Sequence, residues 1–202
     1  MFYIATVNFL FIIFKLFFRF KIEGAENVPS QGAFILASNH SSYLDPPILA
    51  AACYRCGRRK LNFLAKEELF YNKWFSLLIR NLRAFPVKRG KGDIGAIKES
   101  IRKIRNGEPL LIFPEGERSP DGSIKEGFPG IALLATKTKI PIIPAFITGA
   151  ENTLSVKSKA VKFCKLGVRF GRPLLFYHQG PQGYSEITDK IMSAIKDLAG
   201  NP

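Results

Sequence analysis

The sequence predicts an α/β fold: a central, mostly parallel mixed sheet flanked by helices, with an N-terminal apolar helix that associates with a membrane. Three observations carry this reading. Short apolar runs alternate with helical periodicity along most of the chain, the pattern of β-α units that lay down a parallel sheet. Polar clusters able to do chemistry stand directly after several of those runs, and in parallel sheets functional groups gather beyond the carboxyl ends of the strands. The first fourteen residues, MFYIATVNFLFIIF, carry no charged side chain. A chain of 202 residues with 47% hydrophobic content can bury one sizeable core and is too apolar for disorder. We therefore divide it into a membrane-associating helix, residues 1–20, and one α/β domain, residues 21–202.

The N-terminal run falls short of the ~20 apolar residues that span a bilayer, and it lacks the basic start and small-residue cleavage site of a secretory signal. At about 100° per residue, Asn8, Lys15 and Arg19 fall on one side of a helix and phenylalanines cover much of the rest. That pattern fits a helix lying in the interface, or one buried in a core. Residues 33–38, AFILAS, read as a buried strand. The following Asp45-Pro46-Pro47 reads as a helix start, with Asp45 as N-cap and proline at the first helical position. Strands are expected at 62–65 and 84–87, with a helical pattern between them over 67–82. Ile94, Ile97, Ile101 and Ile104 repeat at three and four, so a helix follows, capped by Asp93 and ended by Gly107. A strand at 110–113, a helix at 130–136 and a strand at 142–147 come next. Residues 161–177 read as two late strands joined near Gly171-Arg172-Pro173, and 184–198 as a closing helix.

Thirty Lys and Arg against sixteen Asp and Glu give a net charge of +14, which points to an anionic partner: a phospholipid surface, a phosphorylated substrate or nucleic acid. Cys53, Cys56 and Cys164 are too few for a disulfide framework, and an odd count suits a reducing compartment. Cys53 and Cys56 have a metal-pair spacing, but zinc would need two more ligands from Cys164, His40 and His178, and no metal is expected.

Three clusters could do chemistry. In SNHSSYLDPP, residues 38–47, a continuous helix would turn through about 500° between His40 and Asp45 and keep them apart, so a turn must intervene. Pro46 supplies part of the reason by disfavouring helical backbone at Asp45. A loop over 41–44 that folds back would bring the carboxylate to one imidazole nitrogen, fix the tautomer and make His40 a general base. Ser38, Ser41 and Ser42 lie nearby without a G-x-S-x-G elbow, so the proton would come from a substrate. In FPEGERSPDG, residues 113–122, Glu115 and Arg118 around Gly116 form a loop able to hold hydroxyls and phosphate, with Arg118 offering a bidentate fork. In FPVKRGKGDIG, residues 85–95, Lys88 and Arg89 would serve as phosphate contacts. Gly90, Gly92 and Gly95 also show the spacing of a dinucleotide loop, against which stands Asp93, a carboxylate that would repel the pyrophosphate. Taken singly, the first cluster also fits a histidine beside a capped helix, and the second an exposed turn.

Taken together, these blocks resemble the glycerolipid acyltransferase family, whose best-known members are the 1-acyl-sn-glycerol-3-phosphate acyltransferases. His40 to Asp45 match its HxxxxD block, residues 85–89 its second block, residues 113–119 its FPEGxRS block and residues 140–144 its final proline-containing block. The resemblance covers most of residues 20–149. It implies that His40 removes the proton of an acceptor hydroxyl, which attacks an acyl thioester, while Asp45 orients the imidazole. It further implies that Glu115, Gly116 and Arg118 hold the glycerol phosphate and that Arg89, with Lys88 beside it, meets the phosphate. Glu117 stands where many members have threonine, and Lys88 where many have aspartate. The expected reaction acylates lysophosphatidate at the sn-2 hydroxyl to phosphatidic acid. Its co-substrate would be acyl-CoA or acyl carrier protein, with no cofactor and no metal.

The expected partners are a phospholipid membrane, lysophosphatidate and the acyl donor, with no nucleic acid. The expected attachment is monotopic, with the active site facing the cytoplasm. Three other readings remain at this point: a relative that acylates another lysolipid or polar acceptor, a non-catalytic basic module for membrane or nucleic acid, and a dinucleotide-binding oxidoreductase.

Overall fold

The structure is a computed structural model that describes residues 1–88, 93–119, 121–153, 162–177 and 183–200. Arg89, Gly90, Gly92 and His178 lie outside the described residues. Strands β1 (Lys21–Glu23), β2 (Ile35–Ser38), β3 (Asn62–Lys66), β4 (Ala84–Val87), β5 (Leu110–Ile112), β6 (Ile142–Thr148) and β7 (Gly167–Phe170) form one sheet in the order β1-β7-β6-β2-β5-β3-β4. All pairings between these strands are parallel except β6 with β7. The expected mostly parallel, mixed sheet is what the chain builds.

Parallel strands joined by right-handed crossovers place their helices according to the direction of travel across the sheet. From β2 through α2 (Asp45–Gly57) to β3, and through α3 (Lys73–Asn81) to β4, the chain moves one way, so both helices share a face. From β4 through α4 (Ile94–Arg105) to β5, and through α5 (Gly130–Thr138) to β6, it moves back, and these helices cover the other face. The core divides accordingly. Leu36 joins Phe34, Ile48, Leu49 and Cys53 on the first face, whereas Ile35 and Ala37 join Ile104, Ile131 and Ile142 on the second. Such two-sided burial is why β2 reads as an unbroken apolar run. The closing helix α7 (Tyr184–Gly200) completes the second layer with Ile187, Ile191 and Ile195. A short α6 (Ala150–Thr153) follows β6.

The N-terminal helix α1 (Phe2–Phe18) has two apolar faces. Tyr3, Val7, Phe14 and Phe18 are buried, within about 60° of one another, while Phe2, Phe9, Ile12 and Leu16 point roughly the opposite way and are exposed. Phe14 and Phe18 sit in the first core cluster with Phe34 and Leu36, so the helix docks on the body of the fold instead of standing away from it. Its 17 residues reach about 26 Å, and no helix among the described residues is long and apolar enough to cross a membrane.

Asp93 caps α4 as expected, accepting from the Ala96 amide at 3.0 Å. Its other oxygen accepts from the Lys88 amide at 2.8 Å, which ties the two ends of the 88–93 segment together. These bonds hold its carboxyl below the usual carboxylate range.

Three expectations need correction. Asp45 does not cap α2: Leu44 is the cap residue, and Asp45 is itself the first helical residue, its carboxylate turned back onto the preceding loop. The helical pattern over 67–82 is split into a 3-10 turn, Glu67–Phe70, and α3, because Asn72 restarts the helix by accepting from the Phe75 amide. Of the two late strands only β7 forms among the described residues, and beyond Gly171 and Pro173 the pairing shrinks to a single bridge between Leu174 and Ile142.

Candidate active site

The two central strands β2 and β5 lie side by side, with Leu36 opposite Leu111, so the segments that leave their carboxyl ends emerge together. His40 follows β2 and Glu115 follows β5. Backbone hydrogen bonding past the strands then continues through side chains. Asn39 accepts from the Ile147 amide at 2.8 Å and donates to the Ile147 carbonyl at 3.1 Å, which fastens this side of the loop to β6. On the other side the His40 amide donates to Glu115 Oε1 at 2.9 Å, and the Ser119 amide donates to the His40 carbonyl at 2.8 Å. Both bonds of the His40 backbone thus run to the one loop that follows β5.

The loop from Ser41 to Leu44 turns back as the chemistry requires. His40 Nδ1 and Asp45 Oδ2 are 2.8 Å apart, and the same oxygen accepts from the Ser41 amide at 2.7 Å and the Ser42 amide at 2.8 Å. Asp45 is fully buried. A carboxylate that accepts from the ring at Nδ1 leaves Nε2 as the lone-pair nitrogen, and Nε2 hydrogen-bonds to none of the described residues. Phe113 lies flat against the imidazole, ring centroids 3.9 Å apart and planes 13° from parallel, so the ring is fixed in plane as well as in tautomer.

The loop after β5 divides its labour among its residues. Glu115 is buried, and both its oxygens are taken by backbone amides, Oε1 by His40 and Oε2 by Lys125 at 3.0 Å. It faces inward as a brace between the two segments whose amides it accepts. Gly116 adopts φ +68°, and a Cβ there would stand 2.9 Å from the Phe128 ring, so only glycine fits this turn without displacing that ring. Arg118 lays its guanidinium over the Tyr43 ring, 3.6 Å from the centroid, and hydrogen-bonds to none of the described residues. Its N–H edge is therefore presented for an anion. Glu117 is exposed and pairs with Lys125 Nζ, which offsets the charge that distinguishes this position. Lys88 is exposed at the end of β4, 3.9 Å from Glu67 Oε1. Three strand spacings separate β4 from β2, about 14 Å. The structure thus brings His40, Asp45, Glu115, Gly116 and Arg118 into one constellation and leaves Lys88 at its margin.

Sequence reasoning missed Phe113 and Tyr43 as working residues. Each sits inside a block that drew attention, but an aromatic beside a strand end reads as core. It is the pairing of β2 with β5 that turns Phe113 onto the histidine.

Burial raises the Glu115 carboxyl above its usual value, against the opposing pull of the Lys125 and His40 amides. A carboxyl whose folded pKa is raised contributes stability that is fully present below its unfolded value and is lost as pH rises through the folded value. Glu115→Gln removes that slope. It also faces one of the two backbone amides with an NH₂ group, donor against donor, which costs about 1–3 kcal/mol. The expected result is a lower denaturation midpoint at every pH, with a flatter pH dependence above the ordinary glutamate range. Chemical denaturation of both proteins across pH 4 to about 8 reads this out directly.

Comparisons with known proteins set the chain among acyltransferases. The family model described as "Acyltransferase" matches residues 19–148. A 1-acyl-sn-glycerol-3-phosphate acyltransferase of Bacillus subtilis is 30% identical over 201 residues, covering 97% of this chain and 96% of the relative. One of Streptococcus pneumoniae is 30% identical over 181 residues, covering 87% of this chain and 64% of that longer protein. The crystal structure of the 1-acyl-sn-glycerophosphate (LPA) acyltransferase PlsC from Thermotoga maritima superposes with a TM-score of 0.76 at 26% identity, covering 98% of this chain and 78% of that one.

Proposed function

The chain belongs to the acyltransferase family, and from that membership we propose that it moves a fatty acyl group from a thioester donor to the sn-2 hydroxyl of 1-acyl-sn-glycerol-3-phosphate. The product is phosphatidic acid, a step of phospholipid biosynthesis. One observation carries the assignment of the chemistry: the 2.8 Å contact of His40 Nδ1 with Asp45 Oδ2 beyond a central strand.

With Nδ1 engaged, Nε2 takes the proton of the acceptor hydroxyl as its oxygen attacks the thioester carbonyl carbon. The tetrahedral adduct collapses by breaking the carbon–sulfur bond, and the imidazolium returns the proton to the departing thiolate. An ester and a thiol result. Asp45 keeps the ring in the productive tautomer and shares its charge while the proton is held, a contribution worth roughly 10²–10⁴ in rate. A thioester is already activated, so the residues act without a covalent enzyme intermediate, a cofactor or a metal.

Arg118 is read as the fork that meets the acceptor phosphate, since its donors are unspent and Tyr43 holds its plane. Lys88, exposed at the end of β4, and Arg89, next to it in the sequence, are read as the cations that meet the phosphate. The donor is acyl-CoA or acyl carrier protein. The exposed apolar face of α1, flanked by Lys15 and Arg19, supports monotopic attachment with that helix in the interface; the active site is read as facing the cytoplasm.

The test uses purified protein in lipid micelles with acyl-CoA or acyl carrier protein, following thiol release with a panel of acceptors. Lysophosphatidate is expected to be consumed in preference to lysophosphatidylcholine, lysophosphatidylethanolamine and glycerol 3-phosphate. Equal or better turnover of a neutral-headgroup lysolipid would move the assignment to that acceptor.

A further inference from the structure

Helix α3 is folded inside out. Its sequence, KWFSLLIRN, is strongly amphipathic, and an amphipathic helix on the surface of a fold normally turns its apolar stripe inward. Here the buried residues are Ser76 and Ile79 alone. Trp74, Leu77 and Leu78 cluster within about 100° of one another and point roughly the opposite way. Trp74 is 78% exposed and Leu77 56% exposed, with Tyr71 and Phe75 exposed beside them. A contiguous apolar patch of this kind marks a contact surface.

The position of α3 identifies the contact. By its crossover it shares a face of the sheet with α2, and Leu82, just beyond it, packs against the cluster that Tyr3 and Val7 of α1 form with Ala50 and Tyr54 of α2. The two outward-facing apolar surfaces, on α1 and α3, thus belong to one layer. Charge on that layer is mainly positive. Lys15 on α1, Arg55 on α2, and Lys73 and Arg80 on α3 are exposed, whereas the one acid of these three helices is the buried Asp45. The acids of the 3-10 turn before α3 are engaged, Glu68 with Lys66 and Glu67 with Lys88. Of these two, Glu68 is exposed and Glu67 partly so, and Glu26, in the 3-10 turn beside Cys56 of α2, adds one exposed acid. The opposite layer mixes both signs, with Glu99 among Lys98, Arg102, Lys103 and Arg105 on α4, and Glu186, Asp189 and Asp197 beside Lys190 and Lys196 on α7. Apolar side chains rimmed mainly by cations are the complement of an anionic phospholipid surface.

We propose that α3 is a second membrane-inserting element, and that α1 and α3 together seat this face of the protein on a bilayer containing anionic phospholipid. Trp74, Leu77 and Leu78 enter the interface, and Lys73 and Arg80 lie at headgroup level. Two contacts, on two helices of the layer, fix the tilt of the molecule where one helix would let it swing. Tyr43, exposed in the loop between His40 and Asp45, leads off α2 in the same layer, so lysolipid can pass from the bilayer to Arg118 and His40. This deepens the membrane reading given above and rests on it.

The chain has a single tryptophan, so its emission reports on Trp74 without labelling. Full-length protein is mixed with vesicles of phosphatidylglycerol and phosphatidylcholine, with and without brominated acyl chains, and co-sedimentation is measured in parallel. The expected result is a blue shift and quenching by bromine with the anionic vesicles. Leu77→Glu is expected to weaken vesicle affinity at least about tenfold, with turnover of monomeric short-chain lysophosphatidate unchanged. Co-sedimentation without quenching would overturn the role of α3 and leave α1 as the membrane contact. Failure to co-sediment would overturn the membrane reading together with this one. A blue shift that needs no vesicles, grows with protein concentration and accompanies a dimeric mass would make the α3 face an interface between copies and overturn the proposal.

Discussion

His40→Ala is expected to lower turnover by about 10²–10⁴-fold while leaving the protein folded and its affinity for lysophosphatidate nearly intact. The asymmetry follows from what the side chain touches. The imidazole bonds to Asp45 and stacks on Phe113. When it is removed, Asp45 Oδ2 keeps the Ser41 and Ser42 amides, so the buried carboxylate is not stranded. The backbone of residue 40 keeps its bonds to Glu115 and Ser119, neither of which needs the imidazole. What disappears is the nitrogen that takes the hydroxyl proton, a group needed in the transition state and not in the ground state. The loss should fall on kcat, with KM little changed. Thiol release by wild type and variant, with circular dichroism as the folding control, checks it. An unimpaired variant would remove His40 from the chemistry altogether.

Asp45 should behave differently, and the two obvious substitutions should part company. Asp45→Ala deprives two buried backbone amides and the ring nitrogen of their common acceptor, and each buried donor left unpaired costs about 1–3 kcal/mol. For a domain of this size that is enough to unfold a substantial fraction of the protein. Asp45→Asn can still accept the Ser41 and Ser42 amides through its carbonyl oxygen, so the loop persists. Its NH₂ then replaces Oδ1, which is buried without a hydrogen-bond partner among the described residues. The neutral amide can no longer offset the positive charge that the ring acquires in mid-reaction. The asparagine variant is expected to fold and to lose about 10²–10⁴ in turnover, while the alanine variant loses stability as well. Denaturation midpoints and kcat on the two proteins separate the roles. Wild-type activity in the asparagine variant would show that the charge of Asp45 is dispensable.

Much of this could be read from the chain. The isoleucine repeat with Asp93 and Gly107 around it marked α4, and the unbroken apolar runs marked β2, β5 and β6. Those signals are local. The need for a turn between His40 and Asp45 was legible too, from spacing alone, although Asp45 proved to be the first residue of its helix and not its cap. What could not be read depends on distant segments. Glu115 lies 75 positions from the amide it accepts, and Phe113 and Arg118 gain their partners only once β2 and β5 are in register. On α1, phenylalanines on nearly every side removed the contrast by which periodicity tells inside from outside. On α3 the contrast was present, but amphipathy says only that a helix has an apolar face, not that the face will turn inward. The last expected strand is reduced to one bridge between Leu174 and Ile142, beyond Gly171 and Pro173, which weaken and interrupt a ladder.

The insertion of β5 between β2 and β3 carries a consequence for how the protein is made. Strands β2 and β3 do not pair with each other; both pair with β5, which is synthesised after α2, β3, α3, β4 and α4. A nascent chain emerging from the ribosome therefore exposes both His40 and Asp45 long before it can use them. Until residues 110–119 arrive, the His40 amide and carbonyl have no clamp and the imidazole has no aromatic floor. The site is completed only when β5 pairs between β2 and β3 and brings residues 113–119 against His40, and it is fastened further when Ile147 of β6 reaches Asn39.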